Sequence, residues 1–152
     1  MNPTSADPER ASAVTVDQVT AFIAENLPFV TEMNIVCDSV AYGQTVMRFE
    51  HNERWIRPGG IVSGPVLMTL ADVAIYIGIA TMVGFVPMAV TNELKTNFLR
   101  PAQNQDLLAR GTILKLGRKV AYGSIDLYEP SDPSRMIGHA TGSYVMPDPN
   151  HT

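Results

Sequence analysis

The sequence predicts an α+β fold in which one curled antiparallel sheet wraps a single long central helix. Three observations point there. Residues 61–86 are almost wholly apolar, with Asp72 as their only charge. The elements around that stretch read in the order helix, two strands, long helix, four strands. The connections between strands are too short for parallel crossovers, so neighbours are expected to be antiparallel. A helix without a polar face must be covered on most sides, and a sheet curled around it does that.

The elements follow in chain order. Residues 1–14 are small, polar and proline-containing, and are expected as a flexible N-terminal arm. A single domain is expected over 15–147, with a flexible tail over 148–152. Thr15 to Asn26 opens with a helix-start signature and carries Val16, Val19, Phe22 and Ile23 at helical spacing, and Leu27-Pro28 ends it. Phe29 to Cys37 and Tyr42 to Glu50 read as strands, with a turn at Ser39 to Gly43. His51 to Gly60 is a polar loop. Ser63 suits the N-cap of the central helix, Gly64 and Pro65 suit its first turn, and Gly84 to Pro87 end it. Four strands are then expected, at Met88 to Phe98, Gln105 to Leu116, Lys119 to Tyr128 and Met136 to Met146. Leu116-Gly117-Arg118 makes a tight hairpin, and Glu129 to Ser134 reads as a loop by composition.

Composition narrows the function. Of 152 residues, 45% are hydrophobic and 17% charged, which suits one apolar domain that buries surface in an oligomer as well. A net charge of -4 argues against nucleic acid as the main partner. Lys95, Arg100, Arg110, Lys115, Arg118 and Lys119 nevertheless crowd one stretch and leave room for a local anion site. The single cysteine, Cys37, allows no intrachain disulfide and reads as a small buried hydrophobe of a reducing, cytoplasmic compartment. The N-terminus carries no apolar run of signal-peptide type. Ile61 to Val86 is long enough to span a membrane, but a central Asp costs roughly 2.5–3.5 kcal/mol on insertion scales. No membrane is therefore expected. His51 and His139 lack metal-site spacing, and no nucleophile triad, phosphate loop or dinucleotide fingerprint is present, so neither metal nor cofactor is expected.

Asp72 is the residue that asks for an explanation. A carboxylate buried in an apolar helix costs several kcal/mol unless it is paired or protonated. It is therefore a candidate for catalysis. The plainer reading bonds it to a neighbouring hydroxyl such as Thr69 or Tyr76.

Four segments in order carry a resemblance. They are Ser63 to Asp72 (SGPVLMTLAD), Thr91 to Ala102 (TNELKTNFLRPA), Lys115 to Tyr122 (KLGRKVAY) and Ala140 to Val145 (ATGSYV). Over about residues 30 to 146 the chain resembles the hotdog-fold acyl-CoA thioesterases of the phenylacetate-degradation (PaaI-like) type, in the 4-hydroxybenzoyl-CoA thioesterase superfamily. The resemblance implies hydrolysis of a hydrophobic aryl or fatty acyl-CoA by a homodimer or dimer of dimers. It implies Asp72 as general base or nucleophile, the Gly64 N–H as oxyanion donor, and Thr91 holding the attacking water beside the partner's Asp. Ser63 stands where the family usually has His, Pro65 replaces its second glycine, and Arg57 stands where relatives often have Asn or Gln near the thioester. Arg100, Lys115, Arg118 and Lys119 suit the phosphates of coenzyme A. Eight positions separate Gly64 from Asp72, roughly 12 Å along a helix, so the implied site takes one from each of two subunits. Ile61, Val66, Met68, Ile75 and Tyr76 suggest the apolar acyl pocket. A non-catalytic acyl-CoA-binding protein of the same fold is the alternative.

Overall fold

A computed structural model describes residues 5–148. The central helix, α3 (Gly64–Val83), is buried at every position from Val73 to Met82. It is the one helix among the described residues long and apolar enough to cross a membrane, and 78% of that stretch lies inside the protein. A sheet covers it instead. The strands are β1 (Ile35–Ala41), β2 (Gln44–Phe49), β5 (Val90–Phe98), β6 (Leu107–Leu116), β7 (Val120–Glu129) and β8 (Asp132–Val145). They lie in the order β1-β2-β6-β7-β8-β5, every neighbouring pair antiparallel. A two-stranded hairpin, β3 (Ile56–Arg57) with β4 (Ile61–Val62), leads into α3. The expected hotdog architecture is the one observed.

Close approach of helix and sheet depends on small residues. A Cβ added to Gly142 of β8 would lie 2.7 Å from Ile75 Cδ1 and 2.8 Å from the Glu93 carbonyl oxygen, so only glycine fits. β5 forms one edge of the sheet and is exposed along its length except at the half-buried Leu94 and Thr96. Large apolar side chains are exposed at its two ends, Val90 (56% exposed) at the start and Phe98 (52%) with the adjoining Leu99 (53%) at the finish, around a polar middle that includes the exposed Glu93 and Lys95.

Several local expectations need correction. The first helix, α1 (Val16–Asn26), has the expected start, with Thr15 and Gln18 forming a reciprocal capping box. Residues 29–32, expected as the start of the strand over Phe29 to Cys37, lie instead in a second short helix, α2 (Pro28–Glu32). Pro28 does end α1, but at the first position of a new helix its fixed φ is favourable and its missing N–H costs nothing. Asn34, at φ 55, then turns the chain into β1. The expected loop over Glu129 to Ser134 shrinks to a turn at Pro130 and Ser131, because Glu129 and Asp132 already pair across the ladder. The expected polar loop at His51 to Gly60 contains a 3₁₀ turn (Glu53–Trp55) and β3.

Residues 1–4 of the expected arm and 149–152 of the expected tail lie outside the described residues. From residue 6 the arm runs against the body. Ala6 N–H donates to Ile113 O (3.1 Å), Ala13 N–H donates to Thr81 O (2.7 Å), and the Arg10 guanidinium sits 4.3 Å over the Tyr42 ring. Thr81, fully buried in α3, also accepts the Gly43 N–H through its hydroxyl (2.8 Å). One helix residue thus ties both the arm and the β1–β2 turn.

Candidate active site

Asp72 lies two turns into α3, between the buried Ala71 and Val73. The residue itself is half-buried rather than buried, because it faces a cavity of about 400 Å³. Its hydroxyl partners are not Thr69 or Tyr76. Thr69 donates back to Pro65 O (2.9 Å), as helix threonines do. Instead Thr91 Oγ donates to Asp72 Oδ1 (2.9 Å) and reaches Oδ2 at 3.3 Å, while Tyr144 OH donates to Oδ1 (2.8 Å) and lies 3.2 Å from the Asp72 backbone oxygen. Burial, and then the charge of Asp72, push the Tyr144 phenol well above its ordinary range, so it stays a hydrogen-bond donor.

Three elements bring these groups together. α3 supplies the carboxylate, the start of β5 supplies Thr91, and the end of β8 supplies Tyr144, directly opposite Thr91 in the ladder. The resemblance implied Thr91 beside the partner's Asp; in the structure it holds the Asp72 of its own chain. The cavity walls are apolar and aromatic, with Phe22, Leu27, Phe29, Tyr76 and Val90 around the polar groups. The Phe22 ring stacks 5.8 Å from Tyr76, and Tyr76 lies 5.9 Å from Tyr144. Of the five residues expected to form the acyl pocket, Tyr76 alone lines this cavity. Val66 and Ile75 are core, Met68 is 40% exposed, and Ile61 lines a different cavity.

That second cavity, of about 450 Å³, lies at the start of α3 and is lined by Gly64, Arg57, Phe98 and Arg100 among others. Ser63 occupies the N-cap position as expected, although its side chain makes no capping bond. The Gly64 N–H is one of the first-turn donors that have no partner within a helix. A Cβ added to Gly64 would meet the Phe98 ring at 3.6 Å, so the helix start rests against the end of β5. Arg100 also donates to Met136 O. The remaining cations, Lys115, Arg118 and Lys119, are exposed on the β6–β7 hairpin and line neither cavity. The register of Val120 with Val145, beside Tyr144, puts that hairpin at the Asp72 end of the sheet.

Other candidates are structural. Cys37 is 8% exposed, and burial pushes its thiol up to about 11, which makes it unreactive. His139 pairs with Asp126 (3.0 Å) and His51 with Glu53 (3.4 Å), each a partly exposed surface contact.

Tyr144 is the polar site residue that sequence reasoning missed. An aromatic residue in a last strand looks like core, and the ladder register that sets it opposite Thr91 is not local information. The signal that could have found it is the hydroxyl itself, since a buried tyrosine needs a partner.

A curled antiparallel sheet closed on one apolar helix, with a hydroxyl-bound carboxylate mid-helix and the Gly64 N–H at the helix start, defines a hotdog protein. The chain belongs to the Thioesterase superfamily, whose match covers residues 59–134, half of its length, and is a hydrolase acting on thioesters. A protein of Silicibacter sp. TM1040 assigned as a thioesterase is 32% identical, with a TM-score of 0.79 over 90% of this chain and 94% of that one. A Saccharolobus solfataricus protein named as an esterase is 27% identical over 114 residues, 75% of this chain and 74% of its own length. The phenylacetic acid degradation protein of Thermus thermophilus, at 21% identity, shares the fold with a TM-score of 0.69 over 79% of this chain and 99% of its own.

Proposed function

We propose that this protein hydrolyses the thioester of a hydrophobic, aryl or fatty, acyl-CoA in sites shared between two subunits. One observation carries the reading: β5 joins two half-sites. Its start holds Asp72 through Thr91, and its end, Phe98, rests on Gly64. Within one chain the two are roughly 12 Å apart along α3, too far to act on one carbonyl. β5 is also an exposed sheet edge with unpaired backbone groups and with Val90 and Phe98 exposed at its two ends, which favours pairing with a second copy. Antiparallel two-fold pairing centred near Leu94 brings the start of one β5 to the end of the other. Asp72 of one subunit then approaches the partner's Gly64.

In such a site the acyl group lies among Phe22, Leu27, Phe29 and Tyr76, and its carbonyl oxygen points at the partner's Gly64 N–H. Asp72 takes a proton from water as the water oxygen bonds to the carbonyl carbon. The oxyanion that forms meets the helix N-terminus, where the N–H and the positive end of the dipole stabilise it. Collapse breaks the C–S bond, and the leaving thiolate recovers the proton. Attack by the carboxylate itself, through a mixed anhydride, is the other route the same atoms allow. Arg57 and Arg100 border the Gly64 cavity, where the pantetheine arm would pass, Ser63 precedes Gly64 at the helix N-cap, and Lys115, Arg118 and Lys119 are the cations left for phosphates. A cytoplasmic homodimer or dimer of dimers accompanies this reading.

The test is free-thiol release from benzoyl-CoA and octanoyl-CoA, with wild type beside Asp72→Asn. The substitution keeps shape and removes the charge. A fall of roughly 1,000-fold or more in kcat is expected for a lost general base or nucleophile. Saturable acyl-CoA binding without thiol release in either protein would make this a binding module.

A further inference from the structure

Two oxygens of Asp72 are available for chemistry, and they are not held alike. We propose that Tyr144 is a positioning residue which occupies Oδ1 and so assigns proton transfer to Oδ2. The inference rests on the reading of Asp72 as the catalytic carboxylate.

Oδ1 accepts two short hydrogen bonds, from Tyr144 at 2.8 Å and from Thr91 at 2.9 Å. Oδ2 accepts only the longer arm of the Thr91 contact, at 3.3 Å. Charge-assisted bonds draw density from the oxygen that accepts them, so the less encumbered Oδ2 keeps the more basic lone pairs. Tyr144 also grips Asp72 twice, since its hydroxyl lies 3.2 Å from the backbone oxygen of the same residue. That double contact restrains an Asp χ2 that is otherwise broad. The phenol is itself well anchored: Tyr144 is 5% exposed, lies near the end of β8, and packs against the Tyr76 ring. Its proton is not consumed. Water gives one proton to Oδ2 as the C–O bond forms, and the thiolate takes that proton back as the C–S bond breaks. Tyr144 and Thr91 keep theirs throughout.

Tyr144→Phe removes the hydroxyl and keeps the ring, so the core around it is unchanged. Steady-state thiol release from benzoyl-CoA and octanoyl-CoA should show kcat reduced about 10- to 100-fold, with KM within about twofold. The same substitution in an Asp72→Asn background should cost nothing further, because the two residues act as one unit. An unimpaired Tyr144→Phe beside an inactive Asp72→Asn overturns this inference alone. So does a loss carried by KM, or one of equal size in both backgrounds, since either marks a merely structural tyrosine. Full activity in Asp72→Asn overturns the reading of Asp72 and this inference together.

Discussion

Thr91 shows how much one hydroxyl can contribute. It sits on an exposed sheet edge, yet it reaches both oxygens of a carboxylate that belongs to the central helix. Its role requires a donor and little else, so Thr91→Ser should retain most of the wild-type kcat. Thr91→Val, of similar shape but without the hydroxyl, should lose about tenfold or more, as expected for a charge-assisted bond made in the site. Thiol-release kinetics on the two variants side by side check this. The two carboxylate partners differ in legibility. Thr91 was accessible through the role the resemblance gives it, whereas Tyr144, although inside the quoted segment Ala140 to Val145, carries no role there and nothing local marks it. Asp72 was the most legible of all. A lone charge in an apolar run of residues 61–86 stands out because burying it is costly. Its true exposure was not legible, because the cavity beside it is made by α1, α2, β5 and β8 together.

At the scale of elements, α3 and the sheet approach closely enough that side chains decide the spacing. Gly142→Ala would press a methyl group against Ile75 and the Glu93 carbonyl, both under 3 Å away. A loss of about 1–3 kcal/mol is expected, the usual cost of overpacking a tight core. Chemical denaturation followed by circular dichroism would register it as a lower midpoint at unchanged slope. The helical and strand patterns were readable along most of the chain because their periods differ. Residues 28–32 were not, since Pro28 terminates one helix and starts another, and a five-residue helix is too short to show a period. The Pro130-Ser131 turn failed for a related reason. Composition marks a turn but does not set its length; the β7–β8 register does.

At the scale of the whole molecule, two half-sites proposed to meet across subunits permit a test that needs no assembled structure. Gly64→Ala places its new methyl in ordinary contact with the Phe98 ring, so the fold should tolerate it. The methyl would still obstruct close approach of an acyl carbonyl to the N–H, and activity should fall sharply. Mixing Asp72→Asn with Gly64→Ala under conditions of subunit exchange should then restore activity. About half of the dimers would be mixed and each would hold one intact site, giving roughly a quarter of the wild-type rate. Sites contained within single chains would show only the sum of the two residual rates. The same mixture by light scattering reports whether the particle is a dimer or a dimer of dimers.

The sequence by itself determined the architecture and the central acid. An uninterrupted apolar helix must be wrapped, short connections make the wrapping sheet antiparallel, and a single charge within that helix identifies Asp72. Those conclusions rest on local patterns and on the energetics of burial, which sequence carries directly. Tertiary structure decided how Asp72 is held, by Thr91 and Tyr144 of its own chain, and where the apolar cavity lies. It also decided that Gly64 and Asp72 belong to opposite ends of one edge strand. The reason is register: pairing residues 19 and 72 positions away from Asp72 depends on which strand lies beside which, and no window of sequence contains that information.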